Sequence, residues 1–149
     1  RQMCIRDRQA RRLTRATGRA GLVTGAVIGT AFAVVGLFAG HFFSPTPHIQ
    51  TLIAVGMVTM GIFFPLQGWM MAIDGILIGA RDYRYLAGTC TLTAVVYVTL
   101  ILILANMVTP ALTSDLMRTA MLWAAFNVVL MGGRGLSNGL RVRSDAWMK

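Results

Sequence analysis

Four stretches of this chain are nearly unbroken runs of apolar residues, at about 21–43, 49–80, 85–108 and 116–133. An α-helix rises 1.5 Å per residue, so about 20 apolar residues cross the ~30 Å of bilayer hydrocarbon. The pattern predicts an all-α membrane protein with four transmembrane helices and no room for a soluble domain. The connections SPTPH at 44–48, the polar turn at 81–84 and TPALTSD at 109–115 are rich in helix breakers. Run two is long: as one helix it would span about 45–50 Å, so it must tilt, kink or project, and Pro65 is the expected kink. In run one, Gly21, Gly25 and Gly29 fall at i, i+4 and i+8, a row that lets a neighbouring helix come close. Tight packing explains that row better than a sliding surface does.

The ends carry the remaining pattern. Residues 1–20 are a basic segment expected on the cytoplasmic side, with 1–8 (Met3-Cys4-Ile5-Arg6-Asp7-Arg8 at its centre) expected to be extraneous to the fold. Gly132-Gly133-Arg134-Gly135 reads as the end of helix four, which leaves 134–149 as a basic tail.

Charge changes the picture from spans to topology. Fourteen bases face five acids, none of them glutamate, and the net charge is +9 with a mean hydropathy of +0.65. The N-terminal segment has seven bases, the 44–48 turn none, the 81–84 turn two, the 109–115 turn none and the tail four. Only Arg118 departs from this alternation. The positive-inside rule then gives four spans with both termini in the cytoplasm, and the expected location is the plasma (inner) membrane. Bases grouped at span ends are topology signals, so nucleic acid is not an expected partner; the lipid bilayer is.

Little else in the chain suggests chemistry. Cys4 and Cys90 form neither a metal motif nor a disulfide framework. His41 and His48 flank the first outer turn with no acid near them in sequence, so they read as interfacial residues. There is no nucleotide-binding glycine loop, no Ser/His/Asp set and no pair of carboxylates in one span, so an enzyme is not expected.

One intramembrane acid remains. Asp74 lies within aliphatic sequence, and a carboxylate at mid-bilayer costs about 2.5–3.5 kcal/mol, so it is expected to face protein or a water-filled cavity. Gln67 stands seven residues before it on the same helical face, and Met70 shares that stripe. Such a face is a candidate lining for an ion or substrate pathway. The plainer reading has Asp74 hydrogen-bonded near the inner interface, for example to Arg134. Asn127 is a second intramembrane polar residue, expected as interhelical glue, and the tryptophans 69, 123 and 147 are expected as anchors.

The run P-L-Q-x6-D-G-I-L-I-G-A-x-D-x-x-Y-L from Pro65 to Leu86, with Leu122-Trp123, Arg134, Arg141-Val142-Arg143 and Trp147, resembles the C-terminal end of the multidrug and toxic compound extrusion (MATE) family, in its DinF-like branch. The resemblance covers most of residues 11–149, and its most specific part is D-G-I-L-I-G-A-x-D. It implies a twelve-helix, two-lobe transporter of which this chain is spans nine to twelve. The N-terminal lobe would be a missing partner, small cationic or lipophilic compounds the substrates, and protons or sodium ions the coupling ion. Gly75, Gly79, Asp82 and Arg134 match the branch motif as structural positions. Other branches place a cation-binding acid about two turns deeper than the Asp-Gly position, where this chain has Gln67, so that role does not carry over to Asp74.

The expected function is thus a fragment of an ion-gradient-driven multidrug efflux antiporter that exports nothing alone. The alternatives are a small four-span oligomeric exporter, which lacks the usual acid in span one, and a non-transporting membrane scaffold or subunit.

Overall fold

The computed structural model describes residues 2–144, with side chains from residue 9 onward; Trp147 and Lys149 lie outside it. Helix α1 covers Gln2–Phe38, α2 Gly40–Phe43, α3 Pro47–Gly79 and α4 Tyr83–Ile103. A π-helical turn (Leu104–Val108) and a 3-10 turn (Thr109–Ala111) prolong α4. Helix α5 (Asp115–Ala125), a π-helical stretch (Phe126–Met131) and α6 (Gly132–Arg143) follow one another without a break. Four rods are therefore long and apolar enough to cross a membrane: Gln9–Phe38, Pro47–Gly79, Tyr83–Ala111 and Asp115–Arg143. No strand occurs among the described residues.

Two expected boundaries move. The basic segment does not stand apart from span one, because α1 runs from it into the apolar run unbroken and stops at Phe38 rather than residue 43. The glycines at 132–135 do not end helix four, and α6 continues to Arg143. The reason lies in packing. A Cβ on Gly133 would come within 3.2 Å of Thr93 Cγ2, and Cβ atoms on Gly135 and Gly139 would press on the Trp69 indole. These glycines are notches for neighbouring side chains, and the contacts they admit offset their poor helix propensity.

The C-terminal end of α3 shows the opposite. Asp82 N–H donates to the Leu77 carbonyl and Arg81 N–H to that of Ile78, both at 3.0 Å, in the pattern of a Schellman cap. The left-handed position of that cap is Arg81, at φ 60°, rather than a glycine. Gly79 lies two residues earlier, and a Cβ there or on Gly75 would meet open space.

The rods form a row with α3 near its centre. Helix α1 packs antiparallel on one side of α3, and the α5–α6 rod packs parallel on the other. Helix α4 lies antiparallel against that fourth rod, joined through Tyr85–Ser137 and Tyr97–Phe126. Among the described residues few apolar side chains are buried by protein: Met70 and Leu77 fully, Ile73 and Val142 nearly so. No residue of α4 is buried. The remaining apolar surface, exposed in a soluble protein, is what a bilayer or further helices would cover.

The α1–α3 contact is made by backbone. A Cβ on Gly21, Gly25 or Gly29 would collide with the carbonyl oxygen of Gly68, Phe64 or Gly61, respectively. Pro65 has no N–H, so the Gly61 carbonyl four residues earlier loses its helical donor. That carbonyl faces Gly29, where only a glycine Cα can approach, as in a weak Cα–H···O contact.

Candidate functional site

Gln67 and Asp74 of α3 are seven apart, with Asp82 eight further on past the helix end, and Asn127, Arg134 and Arg141 of the fourth rod repeat at seven. Parallel packing brings the two series together with a chain offset of 60 at Gln67–Asn127 and at Asp74–Arg134, and 59 at Asp82–Arg141. Three polar pairs thus step down one interface toward its arginine-rich end.

The middle pair is the most enclosed. Asp74 is 6% exposed and Asn138 fully buried. Arg134 Nη2 donates to Asp74 Oδ2 at 2.6 Å, and Asn138 Nδ2 donates to Asp74 Oδ1 at 2.6 Å. The carboxylate therefore has a donor on each oxygen. Thr89 of α4 lies with its hydroxyl 3.2 Å from Asn138 Oδ1, which carries the network to a third rod. Arg134 Nε is buried without a partner among the described residues. A guanidinium has five donor hydrogens, so Arg134 keeps capacity that this arrangement does not use.

At the arginine-rich end, Arg141 Nε donates to Asp82 Oδ2 at 2.8 Å, and its guanidinium sits 4.7 Å from the centre of the Tyr85 ring. Tyr85 in turn donates its hydroxyl to the Ser137 carbonyl at 2.7 Å. Deeper in the interface, Gln67 Nε2 donates to Asn127 Oδ1, and Asn127 Nδ2 donates to the Trp123 carbonyl at 2.7 Å and lies 3.2 Å from Met60 Sδ. Asn127 sits in the π-helical stretch, whose wider turn adds a residue between the face of α5 and that of α6.

The face that carries Gln67, Met70 and Asp74 is covered by the fourth rod. Met70 is fully buried against Gly135, so these residues do not line an open pathway in this arrangement. Pro65 lies beside Gly25 at the α1 contact, on a different side of α3 from the polar series. Gly75 and Gly79 are exposed and touch nothing that a methyl group would disturb. Of the sequence candidates, Asp74 and Arg134 meet in the central cluster, Asp82 pairs with Arg141 beside it, and Gln67 forms a separate pair with Asn127.

Asn138, Thr89 and Ser137 carry no signal in the sequence that marks them as site residues, and Tyr85 enters only as a position of the Pro65–Leu86 motif. The face of the fourth rod does have a signal: Asn127, Arg134 and Arg141 repeat at seven, the same interval as Gln67 and Asp74. His48 also differs from expectation, since the fold brings it an acid: its Nε2 lies 3.2 Å from Asp115 Oδ2, and Arg118 donates to the other oxygen at 3.1 Å. Among the described residues no three His, Cys, Asp or Glu side chains converge as a metal site would require.

No family model, curated protein or solved structure matches this chain.

Proposed function

We propose that this four-helix unit is part of a multi-pass, ion-gradient-driven efflux transporter of the MATE type, with both termini cytoplasmic. The observation that carries the reading is the buried Asp74–Arg134–Asn138 cluster within the apolar length of two rods. Buried ion pairs rarely repay their desolvation in stability and are often neutral or worse than apolar packing. Ionisable residues inside a membrane are for that reason functional candidates, as gates or proton relays.

In this reading the three polar pairs hold α3 and the fourth rod closed at the inner end. Protonation of Asp74 would remove the charge that holds Arg134, whose spare donors could then take another acceptor. Further helices would cover the apolar faces of α1 and α4 and complete a path for lipophilic cations, with protons or sodium ions as the driving gradient. With the face of Gln67 and Met70 covered here, substrate entry in this reading belongs to an open state of the unit.

The test is efflux of a lipophilic cationic dye from cells expressing the unit in its full reading frame. Asp74→Asn is expected to reduce efflux at least about tenfold, a loss of about 1.4 kcal/mol of coupling, at unchanged protein abundance. Normal efflux at normal abundance would make the cluster structural. The second reading, a non-transporting scaffold, draws on the same cluster, because a carboxylate with a donor on both oxygens is also what a static rivet requires.

A further inference from the structure

A crevice of about 390 Å³ opens at the arginine-rich end between α1 and the α3–fourth-rod unit. Its rim carries Arg15 and Arg19, one turn apart on α1, and Arg143 from the last turn of α6. Its floor is apolar, with Leu22 from α1 and Trp69 and Ile73 from α3. Among the described residues the nearby acids are engaged elsewhere: Asp74 with Arg134 and Asn138, Asp82 with Arg141. Among the described residues Arg15, Arg19 and Arg143 have no carboxylate partner.

The wall between the two sides is thin. The Trp69 indole is wedged between Gly18 of α1 and Gly135 and Gly139 of α6, and a Cβ on Gly139 would come within 2.8 Å of it. The crevice thus sits where three rods meet through one ring. Guanidinium groups are weakly hydrated and fork onto phosphate oxygens, and they suit a site that is charged at its rim and dry at its base.

We propose that this crevice binds an acidic phospholipid, with the phosphate among Arg15, Arg19 and Arg143 and the first acyl carbons on the Leu22–Trp69–Ile73 floor. Free phosphate offers the same charge but nothing for the floor, which is why the lipid is the occupant. A bound lipid bridges α1 to α6, a pair that otherwise meets chiefly through Trp69.

Native mass spectrometry of the full chain in detergent tests this, with phosphatidylglycerol and phosphatidylcholine of identical acyl chains as probes. One phosphatidylglycerol should bind at a concentration at least about tenfold below phosphatidylcholine, as basic residues near an anionic headgroup predict. The combined variant Arg15→Gln, Arg19→Gln, Arg143→Gln should erase that preference. The variant Arg12→Gln, Arg81→Gln, Arg84→Gln loses the same charge outside the crevice and should keep it. Equal binding of the two lipids, or equal loss in both variants, overturns the site. Displacement of phosphatidylglycerol by excess inorganic phosphate would overturn the lipid assignment in favour of a free-anion site. A readout with every arginine present comes from Trp69 fluorescence in a Trp123→Phe, Trp147→Phe chain. Phosphatidylglycerol brominated near the glycerol should quench it, the matching phosphatidylcholine should not, and no quenching by either contradicts the proposal.

Discussion

The two sides of α3 hold their neighbours by different means. Toward α1 the contact is backbone on backbone, set by Gly21, Gly25 and Gly29 against Gly68, Phe64 and Gly61. Toward the fourth rod it is side chain on side chain, with an amide pair, a carboxylate–guanidinium–amide cluster and an exposed-end ion pair. In a bilayer lipid tails are as apolar as leucine, so burial alone does not bind helices together, and close packing and polar bonds do that work. Glycine contacts fix distance and tolerate only small residues. Polar pairs fix register and can be switched by charge. One helix thus carries a permanent joint on one face and a joint that chemistry can alter on the other.

The comparison breaks most sharply at Asp74. Asp74→Leu leaves Arg134 buried without its anion and should cost about 3–5 kcal/mol, read as a lower melting temperature of the purified chain. A small or absent shift would mean that the cluster is wet or open. The glycine side should respond to size alone. Gly25→Ala sets a methyl group on the Phe64 carbonyl and should cost about 1–3 kcal/mol. Gly75→Ala, where nothing lies within 4 Å, should be neutral or add up to about 1 kcal/mol from helix propensity. Equal responses at 25 and 75 would refute the close backbone contact.

A smaller effect is expected where the polar face has a second bond to fall back on. Gln67→Leu removes one partner of Asn127, which keeps the Trp123 carbonyl, and should cost about 0.6–1.7 kcal/mol in the same melt. The smallest belongs to the far end of the bundle, where His48 and Asp115 are both exposed. His48→Ala should change stability by about 0–1 kcal/mol, and less at high salt. A large loss there would mean that the His48–Asp115 end, rather than the Asp74 cluster, organises the fold.

Much of this architecture is legible in the sequence because the bilayer imposes so few choices. Apolar run lengths gave the rods, and the glycine row gave the face of α1 that meets α3. The polar face was half legible. Asp74 is plainly anomalous in its setting, and Arg134 is a tail arginine that could answer it. Asn138 and Thr89 are not anomalous in their own surroundings, a basic helix end and a threonine-rich span, and only the fold shows that Asn138 donates to Asp74 while Thr89 meets Asn138. The glycines from 132 to 139 misled for a physical reason. Propensity treats glycine as a helix stop, whereas here Trp69 and Thr93 occupy the space that side chains would fill. The His48–Asp115 contact was invisible because its partners are 67 residues apart, in the first turns of two helices with no shared periodicity.

The central claim is that Asp74 and Arg134 answer one another within the apolar length of the bundle. A double-mutant cycle on the melting of the purified chain, with Asp74→Leu, Arg134→Met and both together, measures it directly. The account predicts that the double variant recovers most of the stability lost by either single change, with a coupling of at least about 2 kcal/mol. Losses that simply add would show that the two groups do not share an interface, and the paired face of α3 would have to be abandoned.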